Sequence, residues 1–148
     1  MNFIKFLFFL FLSTQVFSFD ELYVCSTKGG GKITLIGELD PKRIKLESTY
    51  SGIPTSIWVD LTNTESSLSS DSFSRGAQTI VSIKSINNCH YLFEDSILAR
   101  EIGDSESHDI IKKIHFSCGE EKYIVECALK SDGMKDKAYG FFPKEELY

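Results

Sequence analysis

Beyond its first eighteen residues the chain has no apolar run long enough to cross a bilayer, no Cys-x2-Cys pair, no Asn-x-Ser/Thr sequon and no Gly-x-Ser-x-Gly segment. The first absence excludes a helical membrane anchor in that stretch. The second removes the common zinc frameworks, and His90 beside Cys89 has no partner at helical metal spacing, so no metal is expected. The third removes N-glycosylation, and the fourth the nucleophile elbow of serine hydrolases. Basic residues are in deficit too, 16 Lys and Arg against 21 Asp and Glu, for a net charge of −5. That balance argues against a general nucleic-acid coat protein and leaves room only for a local basic patch. Internal repeats and long runs of one charge are also missing.

What is present begins with Met1–Ser18, MNFIKFLFFLFLSTQVFS. Lys5 precedes an apolar stretch from Phe6 to Leu12, Ser13-Thr14-Gln15 interrupts it, and Val16-Phe17-Ser18 offers small residues at the minus-three and minus-one positions. This is the three-part layout of a secretory signal peptide. A buried helix would need a polar face that the segment lacks. The mature chain is then Phe19–Tyr148, 130 residues, one domain by length. Removing Lys5 from the basic residues leaves 15 against 21 acidic, a mature net charge of −6. We expect an exported, soluble monomer.

All four cysteines, Cys25, Cys89, Cys118 and Cys127, lie in the mature part, and an even count in an exported chain reads as two disulfides. Three pairings are possible and composition does not choose among them. A Cys25–Cys127 bridge would close the longest loop and stabilise the fold by roughly 4 kcal/mol in the chain-entropy picture.

The patterning is mostly that of strands. Glu21–Ser26, Ser56–Leu61, Thr79–Ile86, Ile110–Ser117 and Lys122–Leu129 are β-rich or alternate in polarity, and Gly119-Glu120-Glu121 joins the last two as a hairpin. Residues 32–48 are ambiguous. Lys32–Leu39 suits a strand, yet Thr34 could cap a helix there, and Asp40-Pro41 could start one. Thr62–Arg75, with six serines and two acids, predicts a polar loop, and Gly103–His108 a second. His90–Phe93 and Ile97–Ile102 predict a hairpin turning at Glu94-Asp95-Ser96. The tail from Lys130 is charged and expected to be loose until Ala138–Pro143, an apolar patch that should dock on the body. An antiparallel sheet with at most one helix follows, hence a small α+β or all-β domain.

Motifs of chemistry are few. Gly29-Gly30-Gly31-Lys32 lacks the leading Gly and the following Ser or Thr of a phosphate loop, and suits a hairpin turn better. His90, His108 and His115 would suffice for acid–base work, and adjacent strands could bring His90 and His115 together, although ordinary strand-surface or part-buried positions are the better explanation of both. The carboxylates Glu38, Glu94, Asp95, Glu101 and Glu126 are scattered, with no pair marked for a cleft. No cofactor is implied.

Tyr23-Val24-Cys25, directly behind the leader, resembles the Y/F/W-x-C triplet of the secreted effector candidates of powdery mildew fungi. His90-Tyr91-Leu92-Phe93-Glu94 followed by Ile97-Leu98-Ala99-Arg100-Glu101-Ile102 resembles the central hairpin of fungal guanyl-specific ribonucleases, R-V-V-F-N, a turn, then L-A-G-V-I. Val125-Glu126-Cys127 resembles their closing V-E-C. These anchors, spread between positions 23 and 127, resemble the ribonuclease-like effectors associated with haustoria. The resemblance implies an α+β, microbial-ribonuclease-like fold, one α-helix packed on a central antiparallel β-sheet. It also implies that Cys25 pairs with Cys127, leaving Cys89 with Cys118.

This sequence departs from the enzymes where their chemistry lies. Their base is a Glu on a central strand, and the matching Thr79–Ile86 has no carboxylate. Their Arg position holds His90, and their acid position falls near Asp104 with no His beside it. Loss of acid and base should remove roughly 10⁴-fold or more of acid–base acceleration. The resemblance therefore implies a pseudo-ribonuclease, delivered into plant cells, that binds host protein or RNA and is open to recognition by a host immune receptor. For RNA the expected contacts are Lys84, His90, Tyr91 and Arg100. The alternatives are an active secreted ribonuclease using His90 and His115, and an unrelated extracellular β-domain such as an inhibitor or cell-wall binder.

Overall fold

The computed structural model describes residues 18–50, 56–63, 65–73, 76–84, 89–102 and 105–144. The leader, Ser18 apart, and Asp104 lie outside the described residues. Among the described residues no helix is long and apolar enough to cross a membrane.

The described residues form ten strands, of which β3, β4 and β6 alternate clearly between the two faces: β1 (Asp20–Ser26), β2 (Lys32–Leu39), β3 (Lys42–Ser48), β4 (Ser56–Asp60), β5 (Glu65–Phe73), β6 (Gly76–Lys84), β7 (Cys89–Ile102), β8 (Ser105–Cys118), β9 (Glu121–Glu126) and β10 (Gly133–Met134). A 3-10 turn, Leu61–Asn63, follows β4, and one short helix, α1 (Asp136–Phe141), follows β10. The strands form two five-stranded sheets, ordered β10-β1-β2-β3-β4 and β5-β6-β7-β8-β9, each antiparallel throughout. Each sheet turns one apolar face to the other. Ile33, Leu35, Ile44 and Leu46 from the first meet Val81, Ile83, Phe93, Ile114 and Phe116 from the second in one continuous core. Burial of these side chains contributes about 1.5–3 kcal/mol each before chain entropy is set against it.

Two disulfides close this core. Cys25–Cys127 joins β1 to the residue after β9 across 102 positions, with Cα atoms 5.1 Å apart. Cys89–Cys118 bridges directly opposed residues of β7 and β8.

The expectation of a mostly antiparallel, disulfide-stapled β domain with one helix holds, and several local expectations do not. Residues 32–48 form the β2–β3 hairpin rather than a helix. Pro41 disfavours helical backbone at Asp40, and Ile33, Leu35, Ile44 and Leu46 repeat with the period of two that a strand needs. Thr62–Arg75 is not a loop for most of its length: β5 pairs with β6 from Glu65↔Lys84 to Phe73↔Gly76. Its composition is misleading because β5 is an edge strand with one deeply buried anchor, Leu68, whose N–H also donates to the Pro143 carbonyl (2.9 Å). No turn interrupts Glu94-Asp95-Ser96 either. All three stay paired on both sides, as in Ile80↔Glu94↔Lys113, so β7 is one fourteen-residue strand. Strand β8 likewise begins at Ser105, inside the expected second loop.

The tail after Lys130 is tied down. Ser131 Oγ donates to the Val24 carbonyl (2.5 Å) and accepts from the Ser26 N–H (3.0 Å), while the Met134 N–H donates to Asp95 Oδ2 (2.8 Å). Ala138, Phe141 and Phe142 then dock as the apolar patch predicts. The helix expected across a sheet face is six residues long and packs on β1.

Candidate functional site

The Tyr-x-Cys triplet has a structural reason. Tyr23 and Cys25 stand two apart on β1, and both are fully buried between the sheets. Tyr23 meets Phe93 edge-on at 5.3 Å, donates its hydroxyl to the Glu94 carbonyl (2.9 Å), and lies 3.5 Å from Cys127 Sγ. Burial, helped by the nearby Asp95 and Glu94 charges, pushes the Tyr23 hydroxyl far above the ordinary tyrosine range.

The polar face of the second sheet holds most of the candidate chemistry. Residues of one parity along β6, β7 and β8 point there: Gln78, Ser82 and Lys84; His90, Leu92 and Glu94; Lys113 and His115. Glu94 is the hub. Its Oε1 accepts from Gln78 Nε2 (3.1 Å) and from Ser96 Oγ (3.0 Å), and its Oε2 lies 3.4 Å from His115 Nε2. Leu92 sits directly opposite His115, and His90 opposite Ser117, so the two histidines are diagonal neighbours on this face. His90 Nε2 is 2.8 Å from Ser82 Oγ. A carboxylate beside an imidazole can orient the ring.

The four residues expected to contact RNA do not form one surface. Lys84 and His90 are cross-strand neighbours on the polar face. Lys84 pairs with Glu65 (2.8 Å), and that hydrogen bond holds the Glu65 carboxyl below its usual range. Tyr91 points to the opposite face, where it is 6% exposed, packs against Phe116 with ring centroids 5.0 Å apart, and has its hydroxyl pushed up by burial. The Arg100 backbone lies in β7 opposite Ser107, and its side chain is outside the described residues. Lys84 also borders a hollow of about 520 Å³ beside β5, lined with Lys42, Leu61, Glu65, Ser82 and Pro143.

Sequence reasoning missed Glu94 as a partner for His115 because it placed Glu94 in a turn. The usable signal was alternation: Tyr91, Phe93 and Asp95 face inward while His90, Leu92, Glu94 and Ser96 face the other way. Comparison with known protein families, curated proteins and solved structures finds no match to this chain.

Proposed function

We propose that the chain is a secreted effector of the kind found in powdery mildew fungi, acting in the plant host by binding rather than by catalysis. The observation that carries this reading is the placement of Tyr23-Val24-Cys25. The triplet that prompted the resemblance is the part of β1 that seals the two sheets together and anchors the end-to-end disulfide. A domain so held keeps its shape outside the cell, where disulfides persist, and leaves its surface loops and sheet faces free to vary. Host protein is the favoured ligand, an immune receptor among the possible partners, and host RNA the other ligand class. The ribonuclease likeness is carried by the sequence anchors and by the cysteine pairing. The two-sheet arrangement and six-residue helix offer it no further support, so the proposal does not depend on a ribonuclease-like fold.

One observation favours a second reading. Glu94 and His115 are a carboxylate–imidazole pair, with His90 on the same face, and residual ribonuclease action would need such a base and acid. Incubating the secreted protein with single-stranded RNA separates the two. The binding reading predicts intact RNA. Cleavage that disappears in His115→Ala, Glu94→Gln or His90→Ala would replace it with the enzymatic one.

A further inference from the structure

The polar face of the first sheet carries a second, unrelated cluster. Arg43 and Lys45, two apart on β3, reach the Trp58 indole on the edge strand β4; the guanidinium carbon is 4.2 Å and the ammonium 5.5 Å from the ring centroid. Phe19 lies 6.4 Å from the same ring. Trp58 is nonetheless 43% exposed. A large aromatic ring in water, propped on one side by a guanidinium, is a stacking platform.

The charges around it decide what it can hold. Arg43 pairs with Glu38, its cross-strand neighbour on β2, and Lys45 pairs with Glu47. Neither cation is left in surplus, and the chain as a whole is acidic. Glu38 is 2% exposed, and its Oε1 has no hydrogen-bond partner among the described residues. A buried carboxylate oxygen without a donor is rare and costs stability. That oxygen is out of a ligand's reach, so the exposed ring and the part-exposed guanidinium define the site. A ligand suited to it brings hydroxyls that can accept from Arg43 and no negative charge. Phosphate or uronate groups would find both cations already paired with carboxylates.

We propose that this surface binds a neutral glycan, a sugar ring stacking on the exposed Trp58 while its hydroxyls engage the part-exposed Arg43 guanidinium. A ring of C–H groups on one face and hydroxyls on the rim matches an aromatic plane flanked by planar polar groups. This site is separate from the Glu94–His115 face, and the inference does not rest on the effector reading.

Trp58 is the sole tryptophan in the sequence, so its fluorescence reports this site alone. The secreted protein is titrated with cellohexaose, laminarihexaose and chitohexaose, and in parallel with oligogalacturonate and poly(U). A saturable change in emission with at least one neutral oligosaccharide is expected. By calorimetry, Trp58→Leu should weaken that binding at least tenfold. Arg43→Lys, which keeps the charge but loses the planar fork, should weaken it severalfold with unchanged circular dichroism, and it serves as the test if Trp58→Leu does not fold. No response to any neutral oligosaccharide at millimolar concentration overturns the proposal. So does a response confined to oligogalacturonate or poly(U), or unchanged affinity in both variants.

Discussion

Replacing Tyr23 with Phe removes one oxygen from the most tightly enclosed part of the molecule and keeps the ring. The edge contact with Phe93 at 5.3 Å survives. The hydrogen bond to the Glu94 carbonyl does not, and the longer approach to the Lys113 carbonyl (3.4 Å) goes with it. Leaving a buried acceptor without its donor costs about 1–3 kcal/mol, so at neutral pH the variant should unfold at a lower urea concentration by an equivalent amount. Alkaline pH reverses the order. Below pH ~10 Tyr23 is protonated in both states and adds no pH dependence. Above it the unfolded chain releases the proton while the folded chain, whose hydroxyl is held protonated by burial, keeps it. Wild-type stability should then fall by about 1.4 kcal/mol per pH unit from this group alone. Tyr23→Phe lacks that loss, so the two stability curves should converge and cross one to two units above pH ~10. Both cysteine pairs are oxidised, leaving no free thiol to start disulfide exchange during the measurement. Urea titrations from neutral to strongly alkaline pH check this. Equal stability at neutral pH, or parallel curves through the alkaline range, would refute the assignment of a buried, hydrogen-bonded Tyr23 hydroxyl.

The two disulfides should differ in worth. Loop-closure entropy gives about 4.7 kcal/mol for the 102-residue Cys25–Cys127 loop and about 3.6 for the 29-residue Cys89–Cys118 loop. Urea midpoints of the two paired Cys→Ala variants should rank in that order, and a larger cost for Cys89–Cys118 would argue against it. Gly133 adopts φ +68°, and a Cβ there would fall 2.8 Å from Lys112 Cε and against the Asp95 carboxylate. Gly133→Ala should lose about 1–3 kcal/mol in thermal unfolding and loosen β10, whereas Gly29→Ala, where a Cβ meets nothing within 4 Å, should be near neutral. Phe141→Ala, deleting the buried ring that covers Gly37, should cost about 3–5 kcal/mol.

The sequence was legible where side-chain alternation and turn residues agreed. Strand β6 follows from period-two patterning, β1 and β9 from runs of strand-favouring residues bounded by turns, and the docking of Phe141 and Phe142 from an apolar cluster. It was illegible where one force overrode composition. Serines do not advertise a strand, and β5 exists because neighbouring backbones pair with it and Leu68 anchors it. Glu94-Asp95-Ser96 looks like a turn in isolation, but each residue has long-range partners: His115 and Gln78 for the Glu94 side chain, the Met134 N–H for Asp95, and the strand neighbours Gln78 and Ile111 for Ser96. The same blindness hid the Glu94–His115 pair and separated Tyr91 from Lys84 and His90, since a one-residue step along a strand moves a side chain to the other face. The Arg43–Trp58 stack depends on β3 and β4 lying side by side, which no local pattern announces.

The proposed export and the closure of the Tyr-x-Cys cysteine on the far end of the chain can be examined together. Peptide mapping of the protein secreted from the full chain, under non-reducing conditions, tests this most directly. The expected result is a mature N-terminus at Phe19 with the linkages Cys25–Cys127 and Cys89–Cys118. A retained leader, free thiols or any other pairing would contradict it.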